Sequence, residues 1–419
     1  MKILFVLISL PFPTNIGQRM RNYSQVRALQ MEGHEVTLLA FGDLEELASA
    51  RVGLAGLCNE VDVVPEPGGG AHAGYAGRLR ALTSSLPYGA WRMRSDTMRA
   101  AVSKRLATQS FDLVLCDDVY QIGNLPFAFR APIVLDKPSI VHEEVRRFVE
   151  HQRNPLTSAY GWIEHRRLRR LEMQACGKVA AVWACSERDR EILARGEFPV
   201  RIAVVPNAIC VDDYRPAETD DGRTVLYVGA MDWLPNRDAV AFFVSEVMPE
   251  LCRLVPDFNF VVAGREPPPD FRRRYEQVPN VRFTGTLPDL RPVIAQAAIC
   301  VVPLRIGSGT RLKILEAAAM AKAVVSTTVG AEGLTLKDGE DIVIADEPRT
   351  MARAIAALLA DPRRRLEIGQ AARRHVAAEY GIPALRRALR EALALIGEQS
   401  AAAVPLRVGR TLREELLSL

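Results

Sequence analysis

Gly307-Ser308-Gly309-Thr310-Arg311-Leu312-Lys313-Ile314-Leu315-Glu316 is the stretch on which the reading of this chain turns. It follows a continuous aliphatic run, Ile299 to Leu304, that reads as a buried strand, and it leads into an amphipathic helix over Thr310 to Met320. Glycine and serine let a backbone come close to a ligand, and a helix start presents unpaired N–H groups carrying partial positive charge. Arg311 and Lys313 add two full charges at that end, where acidic residues are normally preferred. The conflict disappears if an anion such as a phosphate sits there. The loop is not a dinucleotide fingerprint, because Leu312 occupies the third glycine position and the strand before it is the fourth of its series. No Gly-Lys-Ser/Thr ending marks a P-loop.

Outward from this loop, strand and helix patterns alternate. On the N-terminal side, strands are predicted at Ile3 to Ile8, Glu35 to Phe41, Val61 to Val64, Asp112 to Cys116, Ile133 to Leu135, Val179 to Cys185 and Ile202 to Val205. Helices between them include Gln18 to Met31, Trp91 to Thr108 and Leu156 to Ala175. A polar stretch, Asp212 to Arg223, reads as a linker. A second series follows: strands Thr224 to Val228, Phe258 to Ala263, Val281 to Thr284, Ile299 to Leu304, Ala323 to Thr327 and Asp341 to Ala345, with helices such as Arg237 to Cys252 and Arg349 to Ala360. The expectation is an α/β protein with parallel sheets in two Rossmann-like domains. These are 1–215 and 223–382, followed by a helix over 383–398 that crosses back to the first domain and a tail, 399–419, with an amphipathic helix at Thr411 to Leu419.

The 419 residues exceed one ordinary core, and 48% hydrophobic with 25% charged residues is usual for a globular chain. A net charge of +4 does not by itself imply a polyanionic partner, and the basic runs lack the interleaved aromatics of a nucleic-acid surface. Two arginine-rich stretches stand out, from Arg78 through Arg92 to Arg105 and from Arg166 to Arg170; they are either solvated helix faces or a surface for acidic lipid. The seven cysteines form no CxxC pair and read as buried apolar residues in a reducing cytoplasm, with no metal bound through them. Lys2 and the short run Ile3 to Leu10 read as a first strand rather than a signal peptide, and no run reaches membrane-spanning length.

Several further motifs fall at matching intervals: Tyr227-Val228-Gly229-Ala230-Met231-Asp232-Trp233-Leu234-Pro235-Asn236, Val261-Val262-Ala263-Gly264, Phe283-Thr284-Gly285, Val302-Pro303-Leu304-Arg305 and Lys313-Ile314-Leu315-Glu316-Ala317. In order and spacing, over about 224–380, they resemble the C-terminal half of GT-B glycosyltransferases of family GT4. The N-terminal half is similar more loosely, through Gly17, Arg21 and Gly33-His34-Glu35-Val36. The resemblance implies two Rossmann-like domains facing each other across a cleft. It also implies retaining transfer of a sugar from a nucleoside-diphosphate donor, usually without a metal and with no tightly bound cofactor. Of the family's two glutamates eight positions apart, Glu316 matches the second, which holds the ribose hydroxyls, whereas Ser308 stands at the first. That departure implies altered sugar binding. Gly229-Ala230-Met231 lacks the basic residue often found after that strand, so Arg311 and Lys313 become the groups expected to neutralise the departing diphosphate. Arg265 and the segment Thr284 to Leu287 would border the base, and Ser308, Gly309 and Thr310 the phosphates.

In the N-terminal half, Gly17 ends the loop after the first strand, and loops at strand C-termini are where open α/β sheets bind ligands. His142, beyond the strand Ile133 to Leu135, is the candidate polar group for the sugar carbon, with Asp117 and Asp118 as competitors. His34, His151, His165 and His375 read as surface residues. The acceptor is left open among glycan, small-molecule and lipid-linked compounds, the last implying a cytoplasmic protein peripheral to the inner membrane surface. Alternatives are a GT-B-like phosphorylase or nucleotide-sugar epimerase, or a non-catalytic nucleotide-binding partner.

Overall fold

The structure, a computed structural model, describes residues 1–67, 81, 83–126, 129–152, 154–196 and 200–401, without the side chains of 397–401. The helix expected at Thr411 to Leu419, and Arg78 and Arg80 of the first arginine-rich stretch, lie outside these. The chain forms two compact units. One is Met1–Pro206 with the chain from Leu385 onward; the other is Asn207–Ala384.

The first unit contains a seven-stranded sheet: β1 (Lys2–Leu7), β2 (Glu35–Phe41), β3 (Glu60–Val64), β4 (Leu113–Asp117), β5 (Ile133–Lys137), β6 (Ala181–Ala184) and β7 (Arg201–Val204). Every pair is parallel and the order is β3-β2-β1-β4-β5-β6-β7. In register, Ile3 pairs with Val36 on one side and Leu113 on the other. Helices cover both faces, which is why β1 carries five consecutive fully buried residues, Ile3 to Leu7, rather than an alternating pattern. The order reverses beside β1, and such switch points open a crevice at the strand C-termini.

The second unit repeats the design with six parallel strands: β8 (Thr224–Val228), β9 (Asn259–Ala263), β10 (Val281–Gly285), β11 (Ile299–Val302), β12 (Ala323–Ser326) and β13 (Val343–Ile344), ordered β10-β9-β8-β11-β12-β13. Its switch point lies between β8 and β11, so the Gly307 loop emerges at that crevice. The core packs Tyr227, Phe243, Phe258 and Phe260 among aliphatic side chains. The stretch read as a linker is built into this unit: Asp221 accepts from the amide and hydroxyl of Thr224, and Asp220 pairs with Arg365 at 3.0 Å.

The α/β architecture with parallel sheets is as expected from the sequence, but several elements differ in detail. The single helix expected at Trp91 to Thr108 is two, Tyr88–Arg92 and Asp96–Thr108, because the Ser95 side chain accepts from the Met98 amide and starts a new helix. The helix expected at Arg237 to Cys252 begins at Leu234 and widens into a π-turn over Phe243–Val247 ahead of Pro249, which has no N–H to continue the ladder. The strand expected at Asp341 to Ala345 shortens to Val343–Ile344, since the Asp341 carboxylate is engaged by the Lys337 amide.

Candidate functional site

The Gly307 loop reverses the chain tightly after β11. Gly307 has φ +142° and Gly309 φ +73°, values open to glycine at little strain. The helix then runs Leu312–Ala319, so Arg311 is its N-cap and not part of its first turn. The Arg311 guanidinium is buried and folds back over Gly307 to donate to the carbonyls of Ser308 and Gly309. It thereby braces the loop. Thr310 is anchored from the other side, its hydroxyl accepting from the Asn207 amide at 2.6 Å. Ser308 is buried as well.

Lys313 is placed differently. Its ammonium donates to the Tyr227 hydroxyl at 3.0 Å and to Asn236 Oδ1 at 2.9 Å, and lies 4.3 Å from the centre of the Tyr227 ring. Among the described residues no carboxylate lies within ion-pair distance of it. Burial, then repulsion from Arg311, pushes the Lys313 ammonium down to about 7. One turn on, Glu316 accepts from the Tyr214 hydroxyl at 3.1 Å. Burial pushes its carboxyl up to about 7, although Tyr214 and Lys313 favour the charged form. No acidic residue occupies the helix's first turn, so the dipole and the lysine together present an uncompensated positive end. Such an end suits a phosphate.

The strand-end loops complete this face. Gly229 leaves room for the Asn236 amide, since a Cβ there would lie 2.9 Å from it. Gly264, at φ +135°, brings its backbone so close to Gly229 that a Cβ would sit 2.3 Å from the Gly229 carbonyl oxygen. Arg265 is half exposed and paired with Asp232, and its carbonyl accepts from the Met231 amide at 3.1 Å. Leu287 is partly buried in the loop after β10.

In the first unit, Gly17 is exposed at the start of the helix Gly17–Met31. That helix inserts polar side chains beneath the strand ends. Gln18 and Asn22 donate to the Asp117 carboxylate at 3.0 and 2.9 Å, while Arg21 makes a two-pronged, fully buried pair with Asp136 (2.8 and 2.5 Å). Burial and the charges of Asp118 and Asp136 push Asp117 up to about 7. Asp118 is turned onto its own loop, its carboxylate accepting from the Val119 amide at 2.5 Å. His142 lies in the first turn of the helix Val141–Glu150 and is nearly buried. Its Nδ1 is 2.5 Å from Glu172, whose carboxylate also accepts from the amides of Val141 and His142 and pairs with Lys137. Burial would raise Glu172, but Lys137 and His142 hold it down at about 2. An ionised Glu172 keeps the proton on Nδ1, leaving Nε2 as the basic nitrogen. His165 and His375 are not plain surface residues: the first donates to the His142 carbonyl and the second is 3.0 Å from Asp341.

The loop, Lys313 and Glu316 were identifiable in the sequence, but Tyr214, Tyr227 and Asn236 were missed as their partners, and Asp136 and Glu172 as those of Arg21 and His142. Tyr227 and Asn236 stand nine residues apart in the motif already singled out, but only the fold shows the tyrosine hydroxyl on the asparagine. For Tyr214 and Glu172 no sequence signal existed.

Comparison with known proteins supports one family. Residues 17–213 match the model for glycosyltransferase family 4, and residues 222–361 the model for glycosyl transferases group 1. The chain is 27% identical to a phosphatidylinositol N-acetylglucosaminyltransferase component of Arabidopsis thaliana, over 41% of this chain and 39% of that protein. Over 25% of this chain and 30% of the other, it is 34% identical to the lipopolysaccharide core biosynthesis mannosyltransferase LpcC of Rhizobium leguminosarum bv. viciae. These matches span about a third of those relatives' length. The fold is that of sucrose-phosphate synthase from Thermosynechococcus elongatus, with TM-score 0.69 and 17% identity over 96% of this chain and all of the other. It is also that of Anabaena HepE solved with UDP and glucose, with TM-score 0.67 and 14% identity over 94% and 99%. With adjoining halves matched in turn and the fold shared over nearly the whole length, the chain belongs to the family 4, group 1 glycosyl transferases of GT-B architecture.

Proposed function

We propose that the protein is a retaining glycosyltransferase that moves a sugar from a nucleoside-diphosphate sugar to an acceptor hydroxyl, with no tightly bound cofactor. The carrying observation is the pair on one helix start: Lys313, held only by neutral oxygens, and Glu316, held by Tyr214, one turn apart. A lysine in that setting lacks a counter-ion that a diphosphate supplies, and a carboxylate accepts two ribose hydroxyls. As the donor bond breaks, negative charge grows on the diphosphate, and the helix start and Lys313 stabilise it; donors of this kind commonly contribute ~100-fold or more. Arg311 contributes by bracing the loop that presents these N–H groups. On the first unit, His142, with Glu172 fixing its tautomer, is the residue proposed for catalysis. Ser308, where the family resemblance implies a glutamate, leaves sugar recognition to other donors.

The known activities of the relatives, on a lipid and on lipopolysaccharide core, favour a lipid-linked acceptor at the cytoplasmic face of a membrane. The test is a thermal-shift series with UDP, GDP, ADP, CDP and dTDP, followed by NMR of the product's anomeric configuration. Absence of stabilisation by every nucleoside diphosphate refutes the donor site. Inverted product refutes retention, and binding without turnover of any donor returns the protein to the non-catalytic reading.

A further inference from the structure

The two arginine-rich stretches differ once folded. In the first, Arg92 pairs with Glu66, Arg99 with Asp96, and Arg105 with Glu60 and Asp62, which leaves only Arg94 and Lys104 exposed without an acidic partner among the described residues. In the second, carried by the helix Pro155–Cys176, Arg166, Arg169 and Arg170 are exposed, and among the described residues none has an acidic partner. The helix's own carboxylates face inward: Glu164 accepts from the Tyr88 amide and Glu172 serves Lys137 and His142. Gly161, Leu168, Leu171, Ala175 and Cys176 bury the inner face.

The outer face combines those arginines with exposed apolar side chains. Leu156 is 81% exposed, Trp162 41% and Ile163 43%. At 100° per residue, these three and the three arginines fall within an arc of about 140°. The apolar groups occupy the first half of the helix and the cations the second. A solvated face has no use for an exposed leucine, tryptophan and isoleucine gathered on the same arc as unpaired arginines. Together they fit a bilayer boundary: apolar tips enter the acyl region, the indole sits at head-group level, and guanidinium groups meet lipid phosphates.

We infer that the outer face of this helix docks the protein on an anionic lipid bilayer. The surface is independent of the sugar-transfer reading, since it needs no donor. No helix among the described residues is long and apolar enough to cross a membrane, so attachment through this face is peripheral.

The test is co-sedimentation of the full chain, without donor, with vesicles of phosphatidylcholine alone or mixed with phosphatidylglycerol. Binding is expected only to the mixed vesicles, weakened by salt, with a blue shift in tryptophan emission that Trp162→Ser removes. Each arginine is expected to contribute about fivefold, so Arg166→Gln/Arg169→Gln/Arg170→Gln loses about a hundredfold. Because all these side chains are exposed, nucleoside-diphosphate binding and circular dichroism serve as folding controls. Equal binding to both vesicle types, or undiminished binding by the triple variant, overturns the inference. So does a dimer in light scattering that Ile163→Ser dissolves, which assigns the face to a second copy.

Discussion

Lys313 and Glu316 make donor affinity depend on pH in two opposed ways, and the size of each follows from the structure. The lysine must be charged to hold a diphosphate, and free it titrates near 7. A bound diphosphate restores it to its ordinary range, so affinity is full below pH 7 and falls as pH rises through 7. Between pH 6 and 8.5 the loss amounts to about 30-fold, or about 2 kcal/mol at 1.36 per tenfold. Glu316 also titrates near 7, but its charged form binds ribose, so its contribution is lost as pH falls below 7. At pH 6 that loss is about tenfold. The wild-type profile of UDP, GDP or ADP affinity, whichever nucleotide binds, is therefore bell-shaped with its maximum near 7. Glu316→Gln leaves only the falling limb, and shifts it to lower pH because Glu316 helps hold the lysine charged. Lys313→Met leaves only the rising limb. Isothermal titration in buffers of different ionisation enthalpy measures both the affinity and the protons exchanged. A flat wild-type profile between pH 6 and 8.5, or a bell surviving in the double variant, refutes the reasoning.

Three further outcomes are expected. Tyr214→Phe removes a hydrogen bond to Glu316 and weakens nucleotide binding by about three- to tenfold at pH 7, with the rising limb displaced upward; an unchanged pH profile would separate Tyr214 from the site. Gly264→Ala forces a Cβ against the Gly229 carbonyl at a positive φ and destabilises the second unit by about 2–4 kcal/mol, read as a lowered urea midpoint. Glu172→Ala leaves Lys137 buried without its counter-charge and destabilises by about 3–5 kcal/mol. Because Glu172 sits near 2 against an ordinary 4.5, its contribution is present above pH 4.5 and disappears as pH falls toward 2, so acid unfolding of Glu172→Gln is expected to lose that step.

Much of the molecule was legible in one dimension. Aliphatic runs buried on both faces have no alternation to misread, so the strands stood out, and the alternation with helices implied parallel pairing. Breaks within helices were harder to read, because Ser95 and Pro249 act through single hydrogen bonds that leave the hydrophobic period unchanged. The phosphate loop was visible because its elements are contiguous: glycines, a helix start and misplaced cations within ten residues. The roles of the two cations were not distinguishable there. Arg311 and Lys313 stand two residues apart, yet one folds onto the loop's carbonyls and the other reaches across to β8 and the helix Leu234–Phe242 that follows it.

What the sequence determined by itself was therefore local: the periods that make strands and helices, and a backbone conformation only glycine accepts easily. What the tertiary structure decided was electrostatic. Whether Lys313 is charged, whether Glu316 is ionised, and which nitrogen of His142 carries the proton depend on burial and on partners up to 102 residues away along the chain. A charge interacts with its surroundings through space, and separation along the chain says nothing of that distance until the fold is formed.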